Sequence, residues 1–513
     1  MNQASTTVRR RRLLSINAYA AGDMFGGAIN QLTSLYYLPF LILVVGMRPA
    51  LAGAVIAFGR IWDGLNDPIM GAIVDRTRTR FGSCRPFFLI AILPIFLGNV
   101  LIWSAWGIQG ETAQFAYFAL ANVFYTTAST IGLVPYDALL PKLADGYKER
   151  RNYTSFRPFY ATITCVAVTY LYEAVVPATQ NNPLSAAFQS NFTRLGILTG
   201  IIYTIPLVIT FLGTKEKNIT PLLETEKQPI KQTVKKVFSE YKEVLQNKTY
   251  RKYFYIVLLG AFVSACVLSS MAFLVYVIYG NIESYLLGFT LLFVVVNFKG
   301  AFQIAFDIPN VIMAHKKNKH TPLLVDIPLL MVSSAMILFI TPSTPVWLFI
   351  TAMCFLGAGI SCLRFVSLSL LPDLSDVYEL MYGRRAEGIN AGLNTLGRQL
   401  TEGLTIALCG FVLGMFGIDS ADLNFNPDKV LSGAITVLKI MYGILPLIAC
   451  GVIIVIAKTY RLDGKRHDMI KALINEKREK GFAVITSEQE TEIEKITGKK
   501  YKSLWIAGNT EGV

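Results

Sequence analysis

The chain is 513 residues long, 53% hydrophobic and only 16% charged, with a mean hydropathy of +0.47 and a formal net charge of +14. Soluble domains carry about 25% charged residues, so too little polar surface exists here for a soluble enzyme or a nucleic-acid binder. The seven cysteines are an odd set without metal-ligand spacing and read as small buried hydrophobes. His315, His320 and His467 are the only histidines and all sit in polar segments, which leaves no histidine relay for chemistry inside the apolar ones.

Taken in chain order, apolar segments fall at 16–45, 50–73, 86–107, 113–140, 156–177, 195–213, 253–279, 285–312, 322–341, 346–371, 390–416 and 432–457. Twelve segments of this length predict twelve transmembrane helices and an all-α membrane protein. The first follows Arg9 to Arg12 but is too long for a secretory signal, carries Asp23 and lacks a convincing cleavage site, so it is expected to be retained. Most of the 48 Lys and Arg lie in the Arg9–Arg12 run, 76–85, 142–157, 214–252, 315–320, Arg384–Arg385 and the segment after 457. The alternate loops hold only Arg48, Arg194 and Lys429, which predicts that both termini are cytoplasmic. The long 214–252 loop divides the chain into an N-terminal six-helix bundle (1–213) and a C-terminal one (253–460), followed by a cytoplasmic tail (461–513). Met469, Ile470, Leu473 and Ile474 lie at helical spacing in that tail. An amphipathic helix at the membrane surface or against the loops, and a plain solvated tail, fit this pattern equally.

Charges inside the spans are the functional signal, because each Asp, Lys or Arg at a helix centre costs about 2.5–3.5 kcal/mol on insertion scales. The second span, GRIWDGLNDPIMG, carries Arg60, Asp63 and Asp67 on one face with Asn66 beside them. Pro68 frees a backbone carbonyl, while Gly64 and Gly71 let a neighbouring helix approach. Two carboxylates, an amide oxygen and loosened backbone suit a small hard cation. Pairing of Arg60 with one aspartate is the alternative, and it leaves the second unpaired. Asp23, in AAGDMFGGA, can accept two hydroxyls of a sugar or serve a helix–helix hydrogen bond.

Lys299, Arg364, Arg398 and Lys439 are further intramembrane cations. Arg398 and Glu402 are four residues apart and can neutralise each other. Arg364, in GISCLRFVSLSL, has no acid within a turn on its own helix and must find one elsewhere or bind an anionic substrate. GAIVDRTRTRFGSCRP, with Asp75 and Arg85, and PDLSDVYELMYGRRAEG, with Asp373 and Asp376, place charges that can latch a closed cytoplasmic side. Ordinary positive-inside anchoring accounts for their arginines but not for Asp75, Asp373 and Asp376.

RIWDGLNDPIMG, RTRFGSCRP, VPYDALLP with ERRNYTSFR, and DLSDVYELMYGRRAEGINAGLNTLGRQ together carry a resemblance. Over nearly all twelve spans the chain resembles the glycoside–pentoside–hexuronide:cation symporters of the major facilitator superfamily, the melibiose-permease-like carriers. The resemblance implies a cation site at Asp63, Asn66, Asp67 and Thr130, which match the family's two Asp, Asn and Thr. It also implies sugar contacts from Asp23 and Arg157. There are departures: the family's second sugar-gripping acid falls at Leu133, with Asp137 one turn later in place of a tryptophan. Arg364 replaces a span-ten tryptophan, and Gln399, beside Arg398, replaces a span-eleven lysine; Asn394 and Thr395 keep polar side chains there. These changes tilt the expected substrate from a simple galactoside towards an anionic sugar such as a hexuronide.

The resemblance thus implies a major facilitator fold, with the site between two bundles near the midplane. It implies cation-coupled import of a sugar or glycoside by alternating access, with sodium as the favoured ion and lithium or a proton as the others. No resident cofactor is expected. The expected partners are a small-molecule sugar, a monovalent cation and the lipid bilayer, with the chain a monomer in the cell (inner) membrane. A same-fold carrier of an amphipathic lipid, a proton-coupled sugar carrier, and a sensor or membrane enzyme are the rival readings.

Overall fold

The computed structural model describes residues 13–144, 152–154, 156–176, 186–216, 230–279, 290–415 and 435–508. The Arg9–Arg12 run, most of the central loop before 230 and Lys429 lie outside the described residues. Every regular element among the described residues is a helix. In chain order these are α1 (Asp23–Leu32), which runs on through π-helical stretches Thr33–Tyr37 and Phe40–Val44, then α2 (Pro49–Arg76), α3 (Arg85–Ile102), α4 (Glu111–Leu143), α5 (Arg157–Val175) and α6 (Ala186–Gly213). After these come α7 (Ile230–Val244), α8 (Lys248–Tyr279), α9 (Leu291–Lys316), α10 (Thr321–Phe339), α11 (Val346–Tyr382), α12 (Glu387–Met415) and α13 (Leu445–Lys458). Two further helices follow, α14 (Gly464–Lys480) and α15 (Ser487–Thr497). Eight helices among the described residues are long and apolar enough to cross a membrane.

Local chemistry explains the ends and the irregularities. Proline stands in the first turn of α2, α3 and α10, where its missing N–H costs nothing. Pro68, Pro94, Pro135, Pro206, Pro309 and Pro328 sit inside long helices. Membrane helices tolerate them because neighbouring groups take up the freed carbonyls. α7 lies within what the sequence reads as a loop. Its apolar residues Val234, Phe238, Tyr241 and Val244 recur at helical spacing, and Tyr241 and Val244 are buried.

The chain forms two compact units, residues 1–234, 268–294 and 403–437, and residues 235–267, 295–402 and 438–513. The first has an aromatic core: Phe40, Trp103 and Phe192 pack with ring centroids 4.8–6.1 Å apart, and Tyr36 stacks on Tyr172. Small residues bring its helices close. A Cβ on Gly410 would stand 2.3 Å from the Pro49 carbonyl oxygen, so the start of α2 and the end of α12 meet backbone to backbone.

The second unit is centred on α10 against α11, where a Cβ on Gly359 would fall 2.4 Å from that of Leu330 and Ser333 donates to the Ala352 carbonyl. The described part of its tail carries two capped helices. Asp463 caps α14 by accepting from the Arg466 N–H, and Thr486 and Gln489 form a reciprocal capping box on α15. Gly481 and Gly498 end these helices at φ 80° and 78°, a left-handed turn in which a Cβ is strained. Ile470, Leu473 and Ile474 are buried, whereas Met469 is half-exposed. The apolar stripe read from the tail therefore faces protein within this unit, and the solvated-tail alternative does not describe it.

Candidate functional site

The acid-bearing face of α2 is registered on α4 by side chain to backbone contacts. Asn122 donates to the Val55 carbonyl at 3.0 Å, and a Cβ on Gly59 would overlap that amide, so only glycine lets Asn122 sit there. One and two turns on, the Trp62 indole donates to Thr127 at 2.8 Å and the Thr130 hydroxyl lies 3.2 Å from Asp63 Oδ1. Thr130 is buried and also stands 3.0 Å from the Thr126 carbonyl. Asn66 and Asp67 follow Asp63 on the same helix, half-exposed. Arg60 reaches back to Ser34 at 3.3 Å, and Gly403 of α12 packs on its Cβ. An aspartate and a threonine from two helices thus share one point, with a second carboxylate and an amide one turn away. This set offers hard oxygen donors for a small cation.

A second cluster joins α1, α4 and α5. Arg157, in the first turn of α5, grips Asp23 with both arms, Nε to Oδ2 at 2.6 Å and Nη2 to Oδ1 at 2.9 Å. Such a planar fork is the strongest form of a charge-assisted pair. Arg157 Nη2 also lies 3.3 Å from Asp137 Oδ1, and the guanidinium stands 4.9 Å from the centroid of the Tyr136 ring. Tyr136 donates to the Tyr19 carbonyl and stacks on Tyr19. Asp23 and Arg157 are 18% and 24% exposed in their side chains, while Asp137 is 71% exposed. The two sugar-contacting candidates are therefore one ion pair, and Asp137 is its open side.

In the second unit Arg364 meets Asp307 of α9, an acid that the sequence reading passed over. The other oxygen of Asp307 accepts from Ser361 at 2.6 Å. Arg398 pairs with Glu402 at 2.7 Å, as their spacing allows. The anionic substrate rested on these two arginines, and each of them already faces a carboxylate. Asn394 donates to Ser367 at 3.4 Å, Thr395 is half-exposed and Gln399 is buried. Asp307 was legible as a charge inside an apolar segment. Its pairing was not, because 57 residues separate it from Arg364.

Of the four candidates for a cytoplasmic latch, Arg85, Asp373 and Asp376 meet partners within their own units. Asp75 is exposed at the end of α2. Arg85 donates to the Phe211 carbonyl at 2.7 Å, and the backbone N–H of Cys84 and of Arg85 both donate to Glu216, which sits over the start of α3. Asp373 binds Lys319 at 2.7 Å. Asp376 takes Arg385 at 3.0 Å and, from the tail helix α14, His467 at 2.9 Å. Glu379 beside them pairs with Arg478. Asp373 and Asp376, with Glu379, thus hold α14 against α11. Farther out, hydrogen bonds from Lys495 and then Arg466 hold the Glu492 carboxyl below the usual carboxylate range.

Comparison with known proteins gives these clusters a context. A family model described as MFS/sugar transport protein matches residues 18–464. An uncharacterized symporter of Synechocystis sp. is 33% identical over 213 residues, covering 40% of this chain and 38% of that protein. The uncharacterized symporter YnaJ of Bacillus subtilis is 26% identical over 477 residues, 92% of this chain and 96% of the relative. The glucuronide carrier protein homolog of Escherichia coli is 23% identical over 411 residues, 79% and 84% of the two chains. Among solved structures, the partially occluded inward open form of the xylose transporter XylE from E. coli superposes with a TM-score of 0.58 at 12% identity, covering 89% of this chain and 99% of that one. At that identity the likeness establishes the fold alone.

Proposed function

The chain belongs to the MFS/sugar transport protein family, a multi-pass membrane transporter of the major facilitator fold and not an enzyme, and from that premise we propose that it is a cation-coupled sugar or glycoside symporter working by alternating access. The observation that carries this reading is the meeting of Asp63 with Thr130 across α2 and α4, with Asn66 and Asp67 on the same face. Four oxygen-bearing side chains there suit sodium, the proposed ion, better than a proton, which needs only one. Cation binding offsets one of the two carboxylate charges, lowers the cost of holding them in the membrane interior and raises substrate affinity. Linkage then requires the substrate to tighten cation binding by the same factor. Both termini are proposed to be cytoplasmic, in the cell membrane, from the placement of Lys and Arg.

The proposed substrate is gripped by the Asp23–Arg157 pair, with Asp137 as an open acceptor for sugar hydroxyls. We favour a neutral glycoside over a hexuronide, because an anionic sugar would have to displace Asp307 or Glu402 to use Arg364 or Arg398. The relative named a glucuronide carrier homolog speaks for the hexuronide, so the two are tested together. The experiment is a binding titration on purified protein with neutral glycosides and hexuronides, with and without sodium, repeated on Asp63→Asn. Sodium is expected to tighten one sugar class in the wild type. Losing this carboxylate is expected to weaken sodium binding about hundredfold, or about 3 kcal/mol. Undiminished sodium stimulation in the variant would sink the cation site, and absence of any sugar binding would hand the fold to a non-sugar substrate.

A further inference from the structure

The start of α9 is capped by two helices at once. Thr290, just before Leu291, takes the Phe293 N–H on its hydroxyl oxygen at 3.3 Å, as an N-cap residue does. A capping box also needs a Glu or Gln at the third helical position to reach back to the N-cap N–H, and that position here is Phe293. No residue between Glu283 and Asp307 carries a carboxylate. The missing acid comes from α5. Glu173 accepts the Thr290 N–H on Oε2 at 3.1 Å and the Thr290 hydroxyl on Oε1, and it shares the Phe293 N–H. Its charge lies at the amino end of a 26-residue helix, where the helix dipole favours an anion.

Glu173 reaches α9 from a fixed base. Tyr172 beside it stacks on Tyr36 and meets Phe192, so the end of α5 belongs to the aromatic core of the first unit. The first turn of α9, to residue 294, falls in that unit, and the rest of the helix falls in the second. α12 divides in the same way after residue 402. Its far half lies backbone to backbone on α2, where a Cβ on Gly53 would stand 3.0 Å from the Ile406 carbonyl oxygen and from the Ala407 Cα. The four helices each have one end at a basic segment, 76–85, 142–157, 315–320 or Arg384–Arg385. Both contacts come at the opposite ends, the outer side in the proposed orientation.

We propose that Glu173 is an outer latch, a carboxylate lent by α5 that completes the cap of α9 while the outer ends are together and withdraws when they part. The inference rests on the alternating-access reading, which requires those ends to separate, but not on the identity of the substrate. An acid on α9 itself would cap the helix in every state. One supplied by α5 caps it in a single state, so its contact energy falls on one side of the conformational equilibrium and biases it. Parting returns Glu173 and the N–H groups of Thr290 and Phe293 to water, which takes over their hydrogen bonds. The net bias is therefore that of a charge-assisted hydrogen bond after hydration, enough to favour the closed outer side without locking it.

The test is a distance measurement on the purified full chain in lipid nanodiscs, by pulsed electron paramagnetic resonance. Spin labels go on Ala174→Cys, at the exposed end of α5, and on Phe298→Cys, exposed on α9. Cys165→Ser removes the one half-buried native thiol, the other six being buried. Glu173→Ala is expected to raise the ratio of the longer to the shorter distance about tenfold. Glu173→Gln keeps an acceptor without the charge, and Thr290→Val removes the hydroxyl alone; both are expected to shift the ratio the same way by less. An unchanged distribution in Glu173→Ala overturns the latch even if that variant melts earlier, because a purely structural cap lowers stability without moving the populations. Should Glu173→Ala fail to fold, the other two variants decide, and unchanged distributions in both overturn it equally. Unchanged distances with sodium still tightening sugar binding remove the latch and leave the symport reading standing. A shift in distances with no sugar binding keeps the latch and moves the substrate.

Discussion

Arg157 in the first unit and Arg364 in the second each meet an aspartate from another helix, yet the contacts are built differently. Arg157 closes both arms of its fork on Asp23, lies over the Tyr136 ring and is about three-quarters buried. Arg364 touches one oxygen of Asp307 with one nitrogen, and the two side chains are 51% and 32% exposed. A planar fork seated on an aromatic face loses little further entropy on pairing and holds one geometry. A one-armed contact whose acid is shared with Ser361 has slack. The first pair is a fixed clamp, and the second can be re-formed when its neighbours change.

The sharpest way to break that contrast is to remove each arginine against its aspartate in a double-mutant cycle. For Arg157→Ala against Asp23→Ala, read by unfolding of the purified protein, the single variants are expected to lose about 3–5 kcal/mol because each leaves a largely buried charge without its two-armed partner. Arg157→Lys keeps the charge but not the fork and is expected to lose about 2 kcal/mol, the size of one charge-assisted hydrogen bond. For Arg364→Ala against Asp307→Ala, solvent screening limits the coupling to about 1 kcal/mol or less. Equal coupling energies in the two cycles would show that fork geometry and burial do not distinguish the sites.

The same contrast explains what could be read from the residues in order. Asp63, Asn66 and Asp67 crowd one face of one helix, so the helical period alone exposes them as a group, and the motif around them carries the family resemblance. Their meeting with Thr130 follows the parallel register of α2 on α4, set by Asn122 at Gly59, which no local pattern announces. In the second unit Asp307 of α9 meets Arg364 of α11, and neither spacing nor composition says which other helix carries the partner of either. Asp373 and Asp376 were visible as acids in a basic neighbourhood, but their use was not, because His467 lies 91 residues beyond Asp376. Local periodicity reaches one helix. Partners on other helices appear only once packing brings distant segments together.

A charge pair outside the membrane spans supplies the reference against which both arginine sites should be read. Glu492 of α15 binds Lys495 at 2.9 Å and Arg466 at 2.8 Å, in a half-buried cluster on the tail helices. Hydrogen bonds from these cations lower its folded pKa, so its contribution is fully present above the ordinary glutamate value of about 4.3 and disappears as pH falls through the lowered one. Glu492→Gln is therefore expected to lower stability by only about 0.3–0.5 kcal/mol at neutral pH. That small difference should hold flat from neutral to mildly acidic buffer and vanish in strong acid, where the wild-type carboxyl is protonated too. Measured on the full chain by paired melting curves across pH, it sets the floor for a charge cluster outside the membrane spans. If the Arg364 cycle falls to that floor while the Arg157 cycle stays severalfold above it, burial and the two-armed fork separate the two units; a floor as high as Arg157 would remove the distinction.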